Sequence, residues 1–365
     1  MKFRVNRSKL LTELLPMQGI VERRTTIPVL AHLLLNVKGD QLRLAATDLD
    51  VSLTSWTDAE VVSEGAIAVQ ARKFMEIVRS LVGEDVDLAL EDEKRLLISA
   101  GPSRFKINGL SADDFPTLPE VSEDNKVELP FTELKAMIGK VIFAVSTEES
   151  RFQLNGALLQ MKSGALEMVA TDGHRLALVE NASSIDESSE GVLVPRKALQ
   201  ELLRFDDEGN VVFLRGEHHL CFKLGRRELI CRILEGTFPD YERVISKAND
   251  QKAVFERKAL YEAVQRVALL TGDRARAVRF SFASNQLTIS AANPDLGEAV
   301  EEVVCEYGGE ELRLGVNPDY MSQFLAAVGT EKVRLELKDE NTQCIGYPVD
   351  GEDQRYLCVI MPMRI

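Results

Sequence analysis

Leu42–Asp50 reads LRLAATDLD, Leu166–His174 reads LEMVATDGH and Leu287–Asp295 reads LTISAANPD. The copies start 124 and 121 residues apart, a spacing that holds a whole domain, so the 365-residue chain is one domain written three times. A triplicated chain makes an arc or a ring, shapes that encircle or scaffold more often than they catalyse.

Each third divides again. An apolar strand-end residue is followed five positions later by the first large apolar residue of a helical pattern. The pairs are Val5 and Leu10, Val69 and Phe74, Leu129 and Leu134, Val194 and Leu199, Phe255 and Leu260, and Val316 and Met321. After each comes an amphipathic stretch such as RKFMEIVRSL (72–81) or RKALQELLRF (196–205), apolar at i, i+3, i+4 and i+7. Asn317–Pro318 reads as an N-cap with proline at the first helical position. QLRLAA, ALEMVA and QLTISA each follow a turn-like pair, Gly39–Asp40, Ser163–Gly164 or Ser284–Asn285, and read as second arms of hairpins. The unit is therefore one strand, one helix and about three strands. Six such units predict an α+β chain with six helices and six small sheets. The expected domains are 1–120, 127–246 and 253–365, with proline-and-charge linkers at 115–126 and 238–252.

Composition is that of a globular protein, 45% apolar and 28% charged. The amino-terminal MKFRVNRSKLLTELL breaks its apolar residues with charge and does not read as a signal peptide. No run approaches the roughly 18 apolar residues of a membrane span. Five cysteines, odd in number and without CxxC spacing, suit reduced thiols in the cytoplasm, with no disulfide framework and no zinc site.

The net charge of −14 argues at face value against nucleic acid. Its distribution points the other way. The six helical stretches together carry +7, which leaves −21 on everything else. Six helices on one concave face would make a basic lining that holds a phosphate backbone without reading bases. Arg24, Arg72, Lys73, Arg196, Lys197 and Arg204 are the candidate phosphate contacts. The last helix, PDYMSQFLAAV (318–328), has no basic residue and would add little.

Five segments then point to a family: VATDGHRLAL (169–178), VPRKAL (194–199), GTFPDYERV (236–244), LNGALL (154–159) and the terminal VIMPMRI (359–365). Together they resemble the bacterial DNA polymerase III beta subunits, the sliding clamps, and the resemblance runs from MKFRVNR to MPMRI. It implies the DNA-clamp fold: two chains joined head to tail as a homodimer ring around double-stranded DNA, helices inside and sheets outside. Six domains at about 60° each close such a ring through unlike surfaces. At the joint, Phe105 and Ile107 on an edge strand would meet Leu269 and Leu270 at a helix end, with Arg104 facing Glu298, Glu301 and Glu302.

The resemblance also implies a groove for short linear peptides of the DNA polymerase III alpha subunit, the clamp loader, and other polymerases and repair proteins. Its matching positions are Thr171, Gly173, His174, Arg175, Leu176, Pro239, Arg243, Val244, Asn317 and Tyr320, then Val359, Ile360, Met361, Pro362, Met363 and Arg364. Met361 and Met363 offer an adaptable apolar wall for Leu and Phe side chains. After Arg151 the chain reads Phe152–Gln153 where relatives often carry two aromatics, a departure that weakens an expected stacking contact with single-stranded DNA.

Asp172–Gly173–His174 invites a catalytic or metal reading, but no second His or Cys lies at ligand spacing. Only Thr or Ala followed by Asp or Asn recurs at Asp48, Asp172 and Asn293, which suits a turn-stabilising side chain. No phosphate loop, GxGxxG, GxSxG or HExxH is present. The expectation is a non-enzymatic clamp with no catalytic residue, metal or cofactor and no membrane partner. Its rivals are an enzyme built on repeated α+β domains and a repeat scaffold that binds proteins and never DNA.

Overall fold

The strand–helix–three-strand unit recurs six times in the computed structural model, which describes residues 1–22, 26–92, 94–124, 126–183, 189–272, 276–351 and 355–364. The first and fifth units each add a short strand, Glu60–Ser63 and Glu306–Tyr307. The helices are α1 (Arg7–Ile20), α2 (Ala71–Ser80), α3 (Phe131–Val141), α4 (Arg196–Leu203), α5 (Arg257–Ala268) and α6 (Pro318–Ala327). Helical spacing does its expected work: α2 buries Ala71, Phe74, Met75, Ile77 and Val78 on one face. Asn317 caps α6 through its side chain, accepting from the amides of Asp319 at 2.9 Å and Tyr320 at 3.4 Å. The three predicted hairpins close as two-residue turns between Lys38 and Gln41, Lys162 and Ala165, and Ala283 and Gln286. Each turn holds one residue at positive φ: Gly39, Gly164 or Asn285.

The expectation of six small sheets needs correction. Among the described residues the strands assemble into sheets of 13, nine and four. A hairpin edge leaves a row of amides and carbonyls unpaired, and two such edges find partners in the next repeat. Val51–Asp58 pairs antiparallel with Arg227–Arg232. Arg175–Ala182 pairs in the same way with Arg355–Ile360. Packing therefore divides the chain into two compact units, Met1–Lys135 with Lys197–Ile233 and Ala136–Arg196 with Leu234–Ile365.

In the first unit Leu10, Leu14, Phe74, Phe205 and Phe222 lie in the core. The linker after residue 114 is pinned rather than loose: Phe115 is buried with Ala45 and Ala68, and Val121 packs on Leu214, Cys221 and Ile230. The second unit has an aromatic core in which Phe255, Phe280 and Tyr307 surround Phe282 with ring centroids 5.4–6.4 Å away. All five cysteines are buried and free. Burial pushes Cys305 up to about 11 and Cys231 and Cys344 up to about 12, so these thiols stay protonated and inert. No described helix is long and apolar enough to cross a membrane.

Candidate partner-binding site and interfaces

The recurring Thr–Asp pair builds one turn twice. In the middle repeat Thr171 Oγ1 donates to the Arg175 carbonyl at 2.6 Å and accepts from the Gly173 amide at 3.1 Å. Asp172 Oδ1 accepts from the amides of His174 and Arg175 at 2.9 and 3.0 Å. In the first repeat Thr47 and Asp48 make the matching bonds to Val51, Leu49 and Asp50. In the third, Asn293 accepts from the Asp295 amide at 2.9 Å. This bonding is the turn-stabilising role expected of the recurring side chain. The third turn position is left-handed, with φ 81° at Leu49 and 88° at Gly173. A Cβ at Gly173 would sit 2.8 Å from Arg151 Nη1, which donates to the Asp172 carbonyl, so glycine suits this copy twice over.

From that turn the sixteen residues expected to form the peptide groove fall on four segments of one unit. Leu176 stands directly opposite Val359 and Arg175 opposite Ile360 in the strand pair, and the Met361 amide donates to the His174 carbonyl at 2.9 Å. Leu176 and Val359 belong to a core cluster with Ile245, against which Phe238 and Tyr241 pack. That brings Pro239, Arg243 and Val244 beside them, with Gln343 Nε2 donating to the Val244 carbonyl at 2.8 Å. Arg175 ties in the fourth segment: its guanidinium lies 4.4 Å from the Tyr320 ring centroid and 5.3 Å from that of Phe143. It also donates through Nε to Asp172 at 3.0 Å and through the remaining nitrogens to Gln323 and the Phe143 carbonyl. Burial, then the Asp172 charge, pushes the Tyr320 hydroxyl above its ordinary range.

These residues divide into buried and exposed ones. Thr171, Arg175, Leu176, Val359 and Ile360 are buried, whereas Gly173, His174, Pro239, Arg243, Val244, Met361 and Arg364 are exposed. Asn317 is half-buried and occupied as a helix cap. Pro362 and Met363 carry the tail onward, and the Met363 amide donates to the Gly315 carbonyl at 2.9 Å. Gln323, Phe143, Ile245 and Gln343 complete the constellation. No motif marks them, because each acts through a partner distant in sequence. Arg243 pairs with Asp240 at 2.7 Å on the surface. Among the described residues no group of three or more His, Cys, Asp or Glu is placed to hold a metal.

The expected phosphate contacts differ in how far their charge is already used. Arg72 and Lys73 both pair with Glu76 in the open on α2. Arg204 pairs with buried Glu201 at 2.7 Å. Lys197 is committed to Asp48 and to the Ile20 carbonyl at 2.9 Å. Arg196 is half-buried, its Nε enclosed without a hydrogen-bond partner. Arg24 lies outside the described residues. Two further basic residues on the helices work as caps: Arg7 donates to the carbonyls of Val78 and Arg79 at the end of α2. Arg257 donates likewise to those of Leu325 and Thr330 at the end of α6. Phe152 is 68% exposed, a bare ring beside Arg151.

The expected joint residues sit on two strands that are each open along one side, and at the end of α5. Ser103–Leu110 pairs along its length with Arg95–Ala100 but on its other side only at Gly109 and Leu110, leaving Arg104, Phe105 and Ile107 at an open edge. Gly297–Val304, which carries Glu298, Glu301 and Glu302, is the outer strand of the four-stranded sheet. Arg266 on α5 already holds Glu301 through two nitrogens, and these hydrogen bonds, with the Arg266 charge, lower the Glu301 carboxyl. Leu269, just past α5, is 77% exposed and Leu270 half-buried.

Comparison with known proteins gives one answer along the whole chain. Models of the DNA polymerase III beta subunit match residues 1–119 (N-terminal domain), 128–240 (central domain) and 242–364 (C-terminal domain). The beta sliding clamp of Pseudomonas putida is 40% identical over 369 aligned residues, covering all of both chains. The crystal structure of the DNA polymerase III subunit beta from Pseudomonas aeruginosa superposes with a TM-score of 0.94 at 38% identity and full coverage of each chain. The sliding clamp of Bacillus subtilis does so with 0.94 at 28%, covering 100% of this chain and 99% of that one. The chain belongs to the DNA polymerase III beta subunit family, the beta sliding clamps, processivity factors of DNA replication without catalytic activity of their own.

Proposed function

We propose that two copies of this chain close head to tail into a ring around duplex DNA. The ring would tether the replicative polymerase alpha subunit, the clamp loader, and other polymerases and repair proteins through the peptide groove, in the cytoplasm. The family domains matched at 1–119, 128–240 and 242–364 support three clamp domains at 1–120, 127–246 and 253–365.

The observation that carries this reading is the state of three equivalent strands. Val51–Asp58 and Arg175–Ala182 share one burial pattern, buried at six of eight positions in each, because each is covered by the last strand of the following repeat. The third copy, Gly297–Val304, is exposed at most positions and has no described strand on its outer side. The strand of the type it lacks is Ser103–Leu110, the open last strand of the first domain. A second chain supplies it, and the exchange is reciprocal, so two copies cover both of these open strands at each joint. Phe105, Ile107, Leu269 and Leu270 then become buried. Arg104 faces Glu298 and Glu302.

DNA contact would be electrostatic and sequence-independent, drawing first on Arg72, Lys73 and Arg204, with Arg24, Arg196 and Lys197 as further candidates. In the groove, Met361, Val244 and His174 form the accessible rim for Leu and Phe side chains over a floor of Leu176 and Val359. The two grooves of a ring offer avidity to partners whose single peptides bind modestly.

Loading onto nicked circular DNA followed by linearisation tests the topology. A ring stays on the circle at high salt and slides off once the DNA is cut. Retention on linear DNA, or salt-sensitive release from the intact circle, would reject encirclement.

A further inference from the structure

We propose that Arg279, Arg313 and Arg364 form an anion subsite that takes the carboxylates of an acidic segment flanking the docked partner peptide; the proposal rests on the groove reading above. The three line one cleft of about 780 Å³, together with Gly315, the tail residues Met361–Met363, and Glu340. Strand register places them. Arg279 is opposite Gly315, and Ser281 is opposite Arg313, in the pair formed by Val278–Ala283 and Leu312–Val316. Arg279 and Arg313 are thus diagonal neighbours on the exposed face of the sheet, about 7–8 Å apart at the backbone. Gly315 adds no side chain between them. The tail crosses at that point, since Met363 bridges to Gly315, and it delivers Arg364 to the same cleft.

What singles out these arginines is that their charge is unspent. Arg257, Arg266, Arg276, Arg334 and Arg355 of the same repeat donate to carboxylates or carbonyls of their own chain. Among the described residues Arg279, Arg313 and Arg364 have no ion-pair partner, in a chain with 58 acidic residues against 44 basic ones. Glu340 is the one carboxylate on the lining, so the cleft keeps a positive balance. Guanidinium groups with free forks suit carboxylates, which they bind bidentately. The occupant follows from continuity. Met361–Arg364 is both the rim of the groove and the wall of the cleft, so a peptide running past Met361 and Met363 enters it.

The test uses the full-length protein and two fluorescein-labelled peptides, each with a Leu- and Phe-containing core. One is flanked at both ends by three aspartates and its twin by three asparagines. Anisotropy titrations should give about tenfold tighter binding of the aspartate peptide, as expected from several exposed charge pairs of modest strength. High salt and the double variant Arg279→Gln/Arg313→Gln should each erase that preference, with the twin's affinity unchanged. Both substitutions are on the open face of the sheet, and a thermal melt checks the fold. Equal binding of the two peptides by the parent protein rejects the subsite while leaving the groove intact. A preference that survives in the double variant also rejects it. Binding of neither peptide removes the groove reading and the subsite with it. Displacement of the aspartate peptide by a single-stranded oligonucleotide that the double variant no longer binds would reassign the cleft to nucleic acid and overturn the proposal.

Discussion

Arg175 lies on the floor of the proposed groove, yet its guanidinium points inward. All three of its nitrogens donate to protein groups, and its plane rests on Tyr320 and Phe143. Arg175→Lys keeps the charge but cannot reproduce a planar fork held between two rings. We expect a loss of roughly 1.5–3 kcal/mol in urea unfolding, the cost of hydrogen bonds to a charged group, with weaker peptide binding as a consequence. His174→Ala should behave in the opposite way: unfolding stays within about 0.5 kcal/mol because the ring is exposed, whereas peptide affinity falls. Titration of both variants with the same labelled peptide separates the two roles, and a His174 variant with parental affinity would remove that residue from the groove. The turn itself was legible in the sequence, because a short oxygen-bearing side chain two residues before a glycine has few other uses. The partners of Arg175 were not. Gln323 is 148 positions away, and only the folded sheet brings it within reach.

Helices were the most legible elements, since a period of 3.6 residues is a property of the chain alone. What they bury was less so. On α4 the core-facing stripe of Ala198, Leu199 and Leu202 also contains Glu201, which is 3% exposed. Burial lifts its carboxyl above the ordinary 4.5, with Arg204 and Lys197 offsetting part of the rise. The folded chain therefore holds this proton more tightly than the unfolded chain, so stability falls as pH rises from 4.5 through the raised value. Glu201→Gln should flatten that slope, giving a protein more stable than the parent near neutrality and converging with it below pH 4.5, as urea midpoints across this range would report. The summed helix charge also needs dividing by use. Arg257 and Arg7 serve as caps, so Arg257→Gln should destabilise by roughly 1.5–3 kcal/mol and leave the salt dependence of DNA binding unchanged. Lys73→Gln should do the reverse, costing little stability and lowering the salt slope by about one. An unchanged slope in the Lys73 variant would take α2 out of contact with DNA.

At the scale of the whole molecule the threefold repeat predicts the joint residue by residue. The two internal joints superimpose by repeat spacing. Arg227 opposite Ser55 in the first corresponds to Tyr356 opposite Val179 in the second. Carrying the same correspondence to the open strands sets Ser103 of one copy opposite Glu301 of the other, Arg104 opposite Val300, Phe105 opposite Ala299, Lys106 opposite Glu298 and Ile107 opposite Gly297. The register makes chemical sense, with large residues against small ones and Lys106 against an acid, and it sets Arg104 between Glu298 and Glu302. The hydrogen-bond phase carries over as well. In the first joint the Trp56 amide donates to the Arg226 carbonyl and the Arg232 amide to that of Asp50, so the pair Ser55–Arg227 between them is a non-hydrogen-bonded one. Cα atoms in such pairs lie about 4.5 Å apart, within reach of a disulfide. A Ser103→Cys/Glu301→Cys variant should therefore oxidise to a covalently closed dimer of two crosslinks, visible as a single shifted band without reductant. The native thiols are buried and protonated and would not interfere. Shifting one partner by a residue, as Arg104→Cys/Glu301→Cys, turns one thiol to the other face of the sheet and should abolish the band. Efficient crosslinking of the shifted pair, or of neither, would mean that the joint does not repeat the geometry of the two internal ones, and the ring would need another way to close.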